Sequence, residues 1–245
     1  MDPLLAVSLG AAAFVAAIIG GLAGLGSAII MIPILTFAVG IREAIPIATL
    51  SVMMQTWSRV WVNRDVIDRE VVKWFLIGAV PAAVLGSIAF ANLPAALLQT
   101  GLAVFLLLIV AYRHSPLGRE IPMRVRAFCP VGMGQGFLSA LFGGAGPFGA
   151  SFFLSYGLRR GAFVGTMASG MTVINMVKVG MYGTYTLLDV RGIAIALSLG
   201  IIMIGGAYVG GMLVKRVSDR AFVYIVEAVM VTAAISLLAR SGGAS

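Results

Sequence analysis

The sequence is poor in cysteine, histidine and charge. It contains one cysteine, Cys129, and one histidine, His114, which are too few for an internal disulfide or a cluster of metal ligands. Charged residues make up only 11% of its 245 residues, against about 25% in a soluble domain. No His/Asp/Cys constellation for nucleophilic or metal chemistry is available either. We therefore expect no enzyme, no metal and no cofactor.

Apolar residues dominate instead, at 60% of the chain. This composition predicts a polytopic membrane protein whose environment is the lipid bilayer. The net charge of +8 does not indicate a nucleic-acid partner, because the basic residues occupy short loops between apolar runs. Such loops are typical of the cytoplasmic side of membrane proteins. The sequence does not predict an oligomeric state.

Most apolar runs reach the ~20 residues that cross a hydrocarbon core as a helix, but two do not. The short runs are 27–41 and 147–158, and each follows a glycine-rich break. The first break lies within GGLAGLGSAI at 20–29 and the second within LFGGAGPFGA at 141–150. Glycine costs roughly 1 kcal/mol relative to alanine inside a helix, so both stretches predict interrupted helices.

The two breaks indicate an internal duplication. Gly24 and Gly26 precede Gly144 and Gly146 by 120 positions, and similar offsets relate Ser51 to Ser169 and Gly86 to Gly210. We therefore predict an all-α protein of two membrane repeats, each with a broken, re-entrant helix hairpin and three transmembrane helices. Repeat 1–118 comprises hairpin 3–41 and helices 43–62, 71–91 and 93–112; repeat 119–245 comprises hairpin 126–158 and helices 162–182, 190–214 and 219–239.

Loop charges favour hairpins that return to their own side of the membrane. If each broken segment crossed once, Lys and Arg would divide 10 against 6 between the two sides. With re-entrant hairpins they divide 13 against 3, the stronger bias expected for cytoplasmic loops. Each repeat then crosses an odd number of times, so the second is inverted relative to the first. Both termini are predicted to be extracytoplasmic.

Irregular backbone at membrane depth survives only against protein or a polar cavity, so the breaks predict a site. Helices that restart at Ser27 and Pro147 would direct free N–H groups into it, which is how backbone binds anions. The alternative is that the glycines only permit close helix packing. The candidate backbone ligands are Gly24, Gly26, Ser27, Gly144, Gly146 and Phe148.

Ionisable residues within spans are further candidates, because they are expensive in a bilayer. Arg59 and Lys178 occupy nearly equivalent positions in the two repeats, and each ends a polar stripe at helical spacing. The stripes add Ser51, Gln55, Ser169, Thr172 and Asn175 to the candidate ligands. Alternatively, Arg59 extends to the membrane interface. Glu227 is either a coupling site for protons or the partner of a structural ion pair.

The stretch GGLAGLGSAIIMIPIL, with Pro33 shortly after its glycines, resembles the first-helix motif of the TauE/SafE family of sulfite exporters. SALFGGAGPFGASFFL repeats this motif in the second half, with its proline earlier, at Pro147. The resemblance implies a membrane transporter that exports sulfite, a related sulfur oxyanion or an organosulfonate. It also implies a location in the inner (plasma) membrane of a prokaryote. With the site between the breaks, we expect a secondary transporter for a small anion; a passive anion channel is the alternative.

Overall fold

The computed structural model describes residues 3–23, 27–114, 123–213 and 231–237. Within these residues the chain forms ten α-helices and no strand, which confirms the all-helical prediction. The helices are α1 (Pro3–Ala23), α2 (Ala28–Val39), α3 (Ile41–Asn63), α4 (Arg69–Asn92), α5 (Ala95–His114), α6 (Phe128–Phe142), α7 (Gly146–Ser155), α8 (Arg160–Thr184), α9 (Val190–Leu213) and α10 (231–237).

Helix bounds follow the apolar runs of the sequence. Both short runs are short helices, α2 with 12 residues and α7 with 10. Each follows a longer helix, and the second interruption is the three-residue stretch 143–145. The last predicted helix, 219–239, lies mostly outside the described residues, and only 231–237 of it is described as helix.

Local chemistry fixes several helix ends. Asp68 caps α4, and its carboxylate accepts hydrogen bonds from the backbone N–H groups of Glu70 at 3.1 Å and Val71 at 3.0 Å. Gly143 ends α6 with a φ of +84°, a left-handed conformation that favours glycine. At the start of α3, the Arg42 guanidinium donates to the carbonyls of Ala91 and Leu93, so it binds the end of α4.

Two pairs of parallel helices pack closely through glycine. Along α4 and α6, a Cβ added at Gly86 would lie 2.7 Å from the Phe137 carbonyl oxygen. Along α1 and α9, a Cβ added at Gly210 would lie 2.5 Å from the Ile18 carbonyl oxygen. Small residues let helix backbones approach in this way inside membranes. In both pairs, a helix from one half of the chain packs on a helix from the other half.

The apolar core divides along the same lines. One cluster joins α4 to α6, α7 and α8. The other joins α9 to α1, α2 and α3, with contributions from α5, α10, Phe90 of α4, Ala145 of the second break and Tyr182 of α8. At the centre, α3 and α8 are antiparallel, because Asn63 at the end of α3 contacts Gly161 at the start of α8. The α6–α7 hairpin returns to its starting level, since the rings of Phe128 and Tyr156 lie 5.4 Å apart.

Charge separates the two ends of the helix bundle. One end, called the basic end below, joins the end of α3 to the starts of α4, α6 and α8. Asp68 N–H donates to Thr166 Oγ1, Asn63 packs against Gly161, and the Arg126 guanidinium lies over the Trp74 ring. It exposes Arg64, Arg69, Lys73, Arg124, Arg126 and Arg159. At the other end, called the opposite end, the described cations are Arg42 and Arg191.

By length and composition, three of the described helices could cross a membrane. They are Arg69–Asn92, Gly161–Thr184 and Val190–Gly210. Helix α3 is long enough, at 23 residues, but it carries Arg42, Glu43 and Arg59 and is therefore less apolar. These apolar helices indicate a membrane protein.

The close glycine contacts make a testable pair on α9. A Cβ at Gly206 would lie 2.7 Å from the Phe14 carbonyl oxygen, whereas a Cβ at Gly205 would meet nothing within 4 Å. We expect Gly206→Ala to destabilise the protein by about 1–3 kcal/mol, because α1 and α9 must separate. Gly205→Ala should be neutral or stabilise by up to about 1 kcal/mol. Thermal unfolding in detergent measures both, and equal effects would contradict the α1–α9 packing.

Candidate functional site

The second break lies against the first turn of α2. A Cβ added at Gly144 would be 2.8 Å from Cβ of Ala28 and 3.6 Å from the backbone nitrogen of Ile29. Gly143 is packed equally closely, since a Cβ there would collide with Ile32. The starts of the two short helices, α2 and α7, therefore lie next to each other in the middle of the bundle.

A cavity of about 30 Å³ lies at this junction. That volume is room for about two water molecules. Its walls come from the start of α2, the second break, and the facing surfaces of α3 and α8. The lining residues are Ala28, Ile29, Val52, Thr56, Arg59, Gly143, Gly144, Gly146, Val164, Met167, Ala168, Met171 and Asn175.

The lining is mostly apolar, but it contains two buried hydrogen-bond donors without a partner among the described residues. These are Nη2 of Arg59 and Nδ2 of Asn175. Unpaired buried donors are uncommon because each one loses its hydration without compensation. No acidic side chain belongs to the described lining. The polar part of the cavity is therefore suited to an acceptor-rich, negatively charged ligand.

Helix starts add to this bias. The first N–H groups of a helix have no partner within it, and the helix dipole places partial positive charge there. Helix α7 begins at Gly146 with Pro147 in its first turn, as the sequence predicts. Ser27 takes the N-cap position of α2, but its hydroxyl makes no capping bond and donates instead to Oε1 of Gln55.

Lys178 lies behind the cavity and is completely buried. Its ammonium donates to the Gly143 carbonyl at 3.1 Å, to Oγ of Ser139 at 3.2 Å and to Oδ1 of Asn175 at 3.4 Å. A cation at the carbonyl end of α6 is stabilised by the helix dipole. Because Lys178 occupies the amide oxygen of Asn175, the free Nδ2 is the group left for the cavity. In the described part of the chain no carboxylate pairs with Lys178.

Tyr182 lies one turn further along α8 and binds the same helix end. Its hydroxyl donates to the Ala140 carbonyl at 2.6 Å, and its ring packs against Phe90 with centroids 5.2 Å apart. Lys178 and Tyr182 together satisfy backbone carbonyls that a terminated α6 leaves without a helical partner.

The other predicted residues lie in several places. The Ser51 hydroxyl donates to the carbonyls of Ile47 and Ala196, so it joins α3 to α9 outside the cavity lining. Ser169 donates to Gly165 in its own helix, and buried Thr172 has an unpartnered hydroxyl outside the lining. The Phe148 ring makes an edge-on contact with the Phe152 ring, with centroids 5.5 Å apart. Predicted residues Gly24, Gly26 and Glu227 lie outside the described residues.

Several lining residues were not predicted. On α3 the lining positions are Val52, Thr56 and Arg59. The predicted stripe was Ser51, Gln55 and Arg59, so only Arg59 is shared and the other two positions are each shifted by one residue. On α8 they are Val164, Met167, Ala168, Met171 and Asn175, which share one face at spacings of three and four. That spacing is visible in the sequence, but its apolar members look like ordinary core residues.

Tyr182→Phe tests the contact at the end of α6. Removing the hydroxyl leaves the buried Ala140 carbonyl without its partner, so we expect a loss of about 1–3 kcal/mol in thermal or denaturant unfolding. Tyr185→Phe is the control, because that side chain is exposed at the end of α8. Equal unfolding curves for both variants would contradict the role of Tyr182.

Comparison with known proteins agrees with a helical membrane protein. A family model described as sulfite exporter TauE/SafE matches residues 9–237, which is most of the chain. No curated protein and no solved structure gives a significant match. Members of this family are membrane transporters and not enzymes. The match covers both breaks, the cavity and all helices that line it, so the chain belongs to the TauE/SafE family of sulfite exporters.

Proposed function

We propose that this protein is a secondary transporter that exports a small sulfur oxyanion, with sulfite as the leading candidate. The observation that carries the proposal is the cavity beside the helix starts, with its two unpaired donors on Arg59 and Asn175. The anion would accept hydrogen bonds from these groups and from backbone N–H groups at the start of α2 and near Gly144–Phe148. The sequence contains no ATP-binding motif, which favours secondary transport.

Cavity size and lining support a small ligand. About 30 Å³ suits an anion of a few atoms better than a long organosulfonate. Apolar side chains such as Met167 and Met171 exclude water around the polar groups, and hydrogen bonds to a charged ligand are stronger in such surroundings. Export of a short organosulfonate remains the alternative substrate, since the apolar wall would accept a methyl-sized group.

The architecture we propose is a pair of inverted repeats, α1–α5 and α6–α10. Exchanging the halves converts the α4–α6 pair into α9–α1, and it converts one apolar cluster into most of the other, which also contains α5, α10, Phe90, Ala145 and Tyr182. Glycines at equivalent positions of the two halves support this. Gly86 packs against Phe137, and Gly210 packs against Ile18. Gly210 lies 124 positions after Gly86, and Phe137 lies 119 positions after Ile18, so the two contacts are related by nearly the same offset. Helices α3 and α8 are antiparallel, as inversion requires. Broken helices at a repeat interface are a feature of secondary transporters.

We place the basic end in the cytoplasm, since it exposes six described cations against Arg42 and Arg191 opposite. Six crossings then place both ends of the chain outside a prokaryotic inner membrane. Epitope tags on either end should bind antibody in intact spheroplasts without permeabilisation, while a tag in 115–122 should need permeabilisation. A terminal tag that is reached only after permeabilisation would contradict this topology.

Gly144→Leu tests the site. A larger side chain would push into Ala28 and fill the cavity, so we expect sulfite binding and flux to fall by at least about tenfold. Gly180→Leu on α8 is the control, because a Cβ there meets nothing within 4 Å. Calorimetry on purified protein and radiolabelled sulfite flux in proteoliposomes provide the measurements. Normal flux through folded Gly144→Leu protein would refute the site.

A passive channel would use the same residues and is separated from a transporter by the kinetics of the wild-type protein. Buried Tyr182 and Phe90 pack beyond the cavity toward the opposite end, which favours a closed path and therefore a transporter. A transporter should saturate with sulfite and show counterflow. Linear, non-saturating flux without counterflow would identify a channel.

A further inference from the structure

The hydrogen-bonding groups that stay free at the cavity are donors. Nη2 of Arg59 and Nδ2 of Asn175 are buried without a partner among the described residues, and both atoms can only donate. The starts of α2 and α7 add the positive ends of two helix dipoles. The described lining contains no Asp, Glu or His side chain. A ligand in this cavity therefore meets hydrogen atoms that need acceptors.

The acceptors in the described lining are mostly in use. The Gly143 carbonyl accepts from the buried ammonium described above. Sδ of Met171 accepts from Nε2 of Gln135 at 3.1 Å. Thr56 donates its hydroxyl to the Met53 carbonyl at 3.0 Å, which leaves one neutral hydroxyl oxygen that could accept. A ligand that carries a hydrogen of its own finds little to donate to.

Asn175 decides whether this balance holds, because an amide presents either hydrogens or an oxygen. Oδ1 of Asn175 lies 3.4 Å from Nζ of Lys178, and an ammonium can only donate. The ammonium also donates to Oγ of Ser139 and to the Gly143 carbonyl. If the amide turned over, its NH2 group would face a buried ammonium with no acceptor between them. Lys178 therefore holds Asn175 with its NH2 group toward the cavity.

We propose that this cavity binds the fully ionised form of its oxyanion, sulfite and not hydrogen sulfite, and that Asn175 is the residue that determines this specificity. Lys178 is a positioning residue, since it acts on the ligand through the Asn175 amide. The inference rests on the proposed function, because it names the form of sulfite that the same site takes.

The added hydrogen of hydrogen sulfite is what the cavity rejects. A buried donor without an acceptor loses its hydration and receives nothing in return. Protonation also lowers the negative charge of the ligand, which weakens the hydrogen bonds that Arg59 and Asn175 donate to it. Both effects act in the same direction, so we expect sulfite to bind at least about tenfold more tightly than hydrogen sulfite.

The protein groups around the amide do not hide this dependence on the ligand. The ionisable side chains on the described elements that surround Asn175 are Arg59 on α3 and Lys178 and Tyr182 on α8. Helices α2 and α7 contribute none, and α6 has only Cys129, at its far end. Sulfate keeps its charge near neutral pH, so its binding reports any titration of the protein itself.

Binding across the second ionisation of sulfite tests the specificity. Calorimetry on the purified protein should give a Kd for total sulfite that falls as the pH rises and levels off once sulfite is fully ionised. The Kd calculated for the ionised form alone should stay constant within about twofold. A Kd for total sulfite that is constant or rises with pH would overturn the proposal. So would binding of hydrogen sulfite that disappears in Thr56→Val, because the hydroxyl oxygen would then be its acceptor.

Asn175→Asp tests the residue itself. The carboxylate keeps one oxygen for Lys178 and presents the other to the cavity in place of the NH2 group. Sulfite binding should weaken by at least about tenfold, and the preference for the ionised form should disappear. Asn92→Asp is the matched control, because it makes the same change at an exposed side chain at the end of α4. A wild-type pH profile in Asn175→Asp would overturn the role of Asn175.

Lys178→Met tests the positioning role, since it leaves the Asn175 amide free to turn. The preference for ionised sulfite should fall by about fivefold or more. In an Asn175→Ala background the same change should not alter the pH profile further, because no amide is left to position. An equal effect in both backgrounds would overturn the positioning role. Asn175→Asp retains Lys178, so the specificity is tested even if Lys178→Met does not fold.

Sulfate and phosphate separate this inference from sulfite export. The two anions are similar in size and shape, but phosphate keeps a hydrogen at neutral pH. The wild-type protein should bind sulfate at least about tenfold more tightly than phosphate, and Asn175→Asp should remove that preference. A protein that prefers sulfate in this way but neither binds nor carries sulfite would contradict sulfite export and support the specificity.

The opposite result is equally clear. A protein that carries sulfite but binds phosphate as tightly as sulfate would keep the transporter and overturn the inference. If neither of these larger anions binds, the sulfite profile decides alone. A protein that binds none of the three anions would contradict both the proposed function and the inference.

Discussion

The contact of Lys178 with the end of α6 makes the second helix break possible. A helix that stops inside a bilayer leaves carbonyls that lipid cannot satisfy. The ammonium of Lys178 and the hydroxyl of Tyr182 bind Gly143 and Ala140, so protein groups replace the missing helical turn. The break can then turn at Gly143 and bring Gly144 against the start of α2. The position of the second break, the start of α7 and the free Nδ2 of Asn175 follow from this capped end.

Close glycine packing provides the frame that holds this junction. Gly86 and Gly210 allow α4 and α9 to contact the backbones of α6 and α1, which precede the two breaks. Each hairpin is therefore attached to a long helix of the other half. Residues far from the cavity thus help to fix its position, because a shift of either pair would move the starts of α2 and α7 apart.

Sequence alone predicts much of this protein, and its errors have a physical cause. The second break and the nine described helices before α10 follow from glycine and hydrophobic length. Buried polarity marks Arg59, Asn175 and Lys178, and the structure places the first two in the cavity lining and Lys178 behind it. The stripe on α3 was displaced by one residue, since Ser51 and Gln55 bind α9 and α2 and not the cavity. Periodicity identifies which face of a helix is polar, but it does not show which other helix that face packs against. The apolar residues of α8 that line the cavity cannot be distinguished in the sequence from ordinary core residues.

The difference between the two cations fits their surroundings. Arginine has a planar fork of five donors that can bind a ligand while some nitrogens stay solvated, which suits Arg59 at the half-buried end of α3. Lysine is a compact charge with three donors, which matches the three acceptors around Lys178. An arginine there would bring a wider group and more donors than the break can accept. The sequence thus places the adaptable cation beside the cavity and the compact one at the carbonyl end of α6.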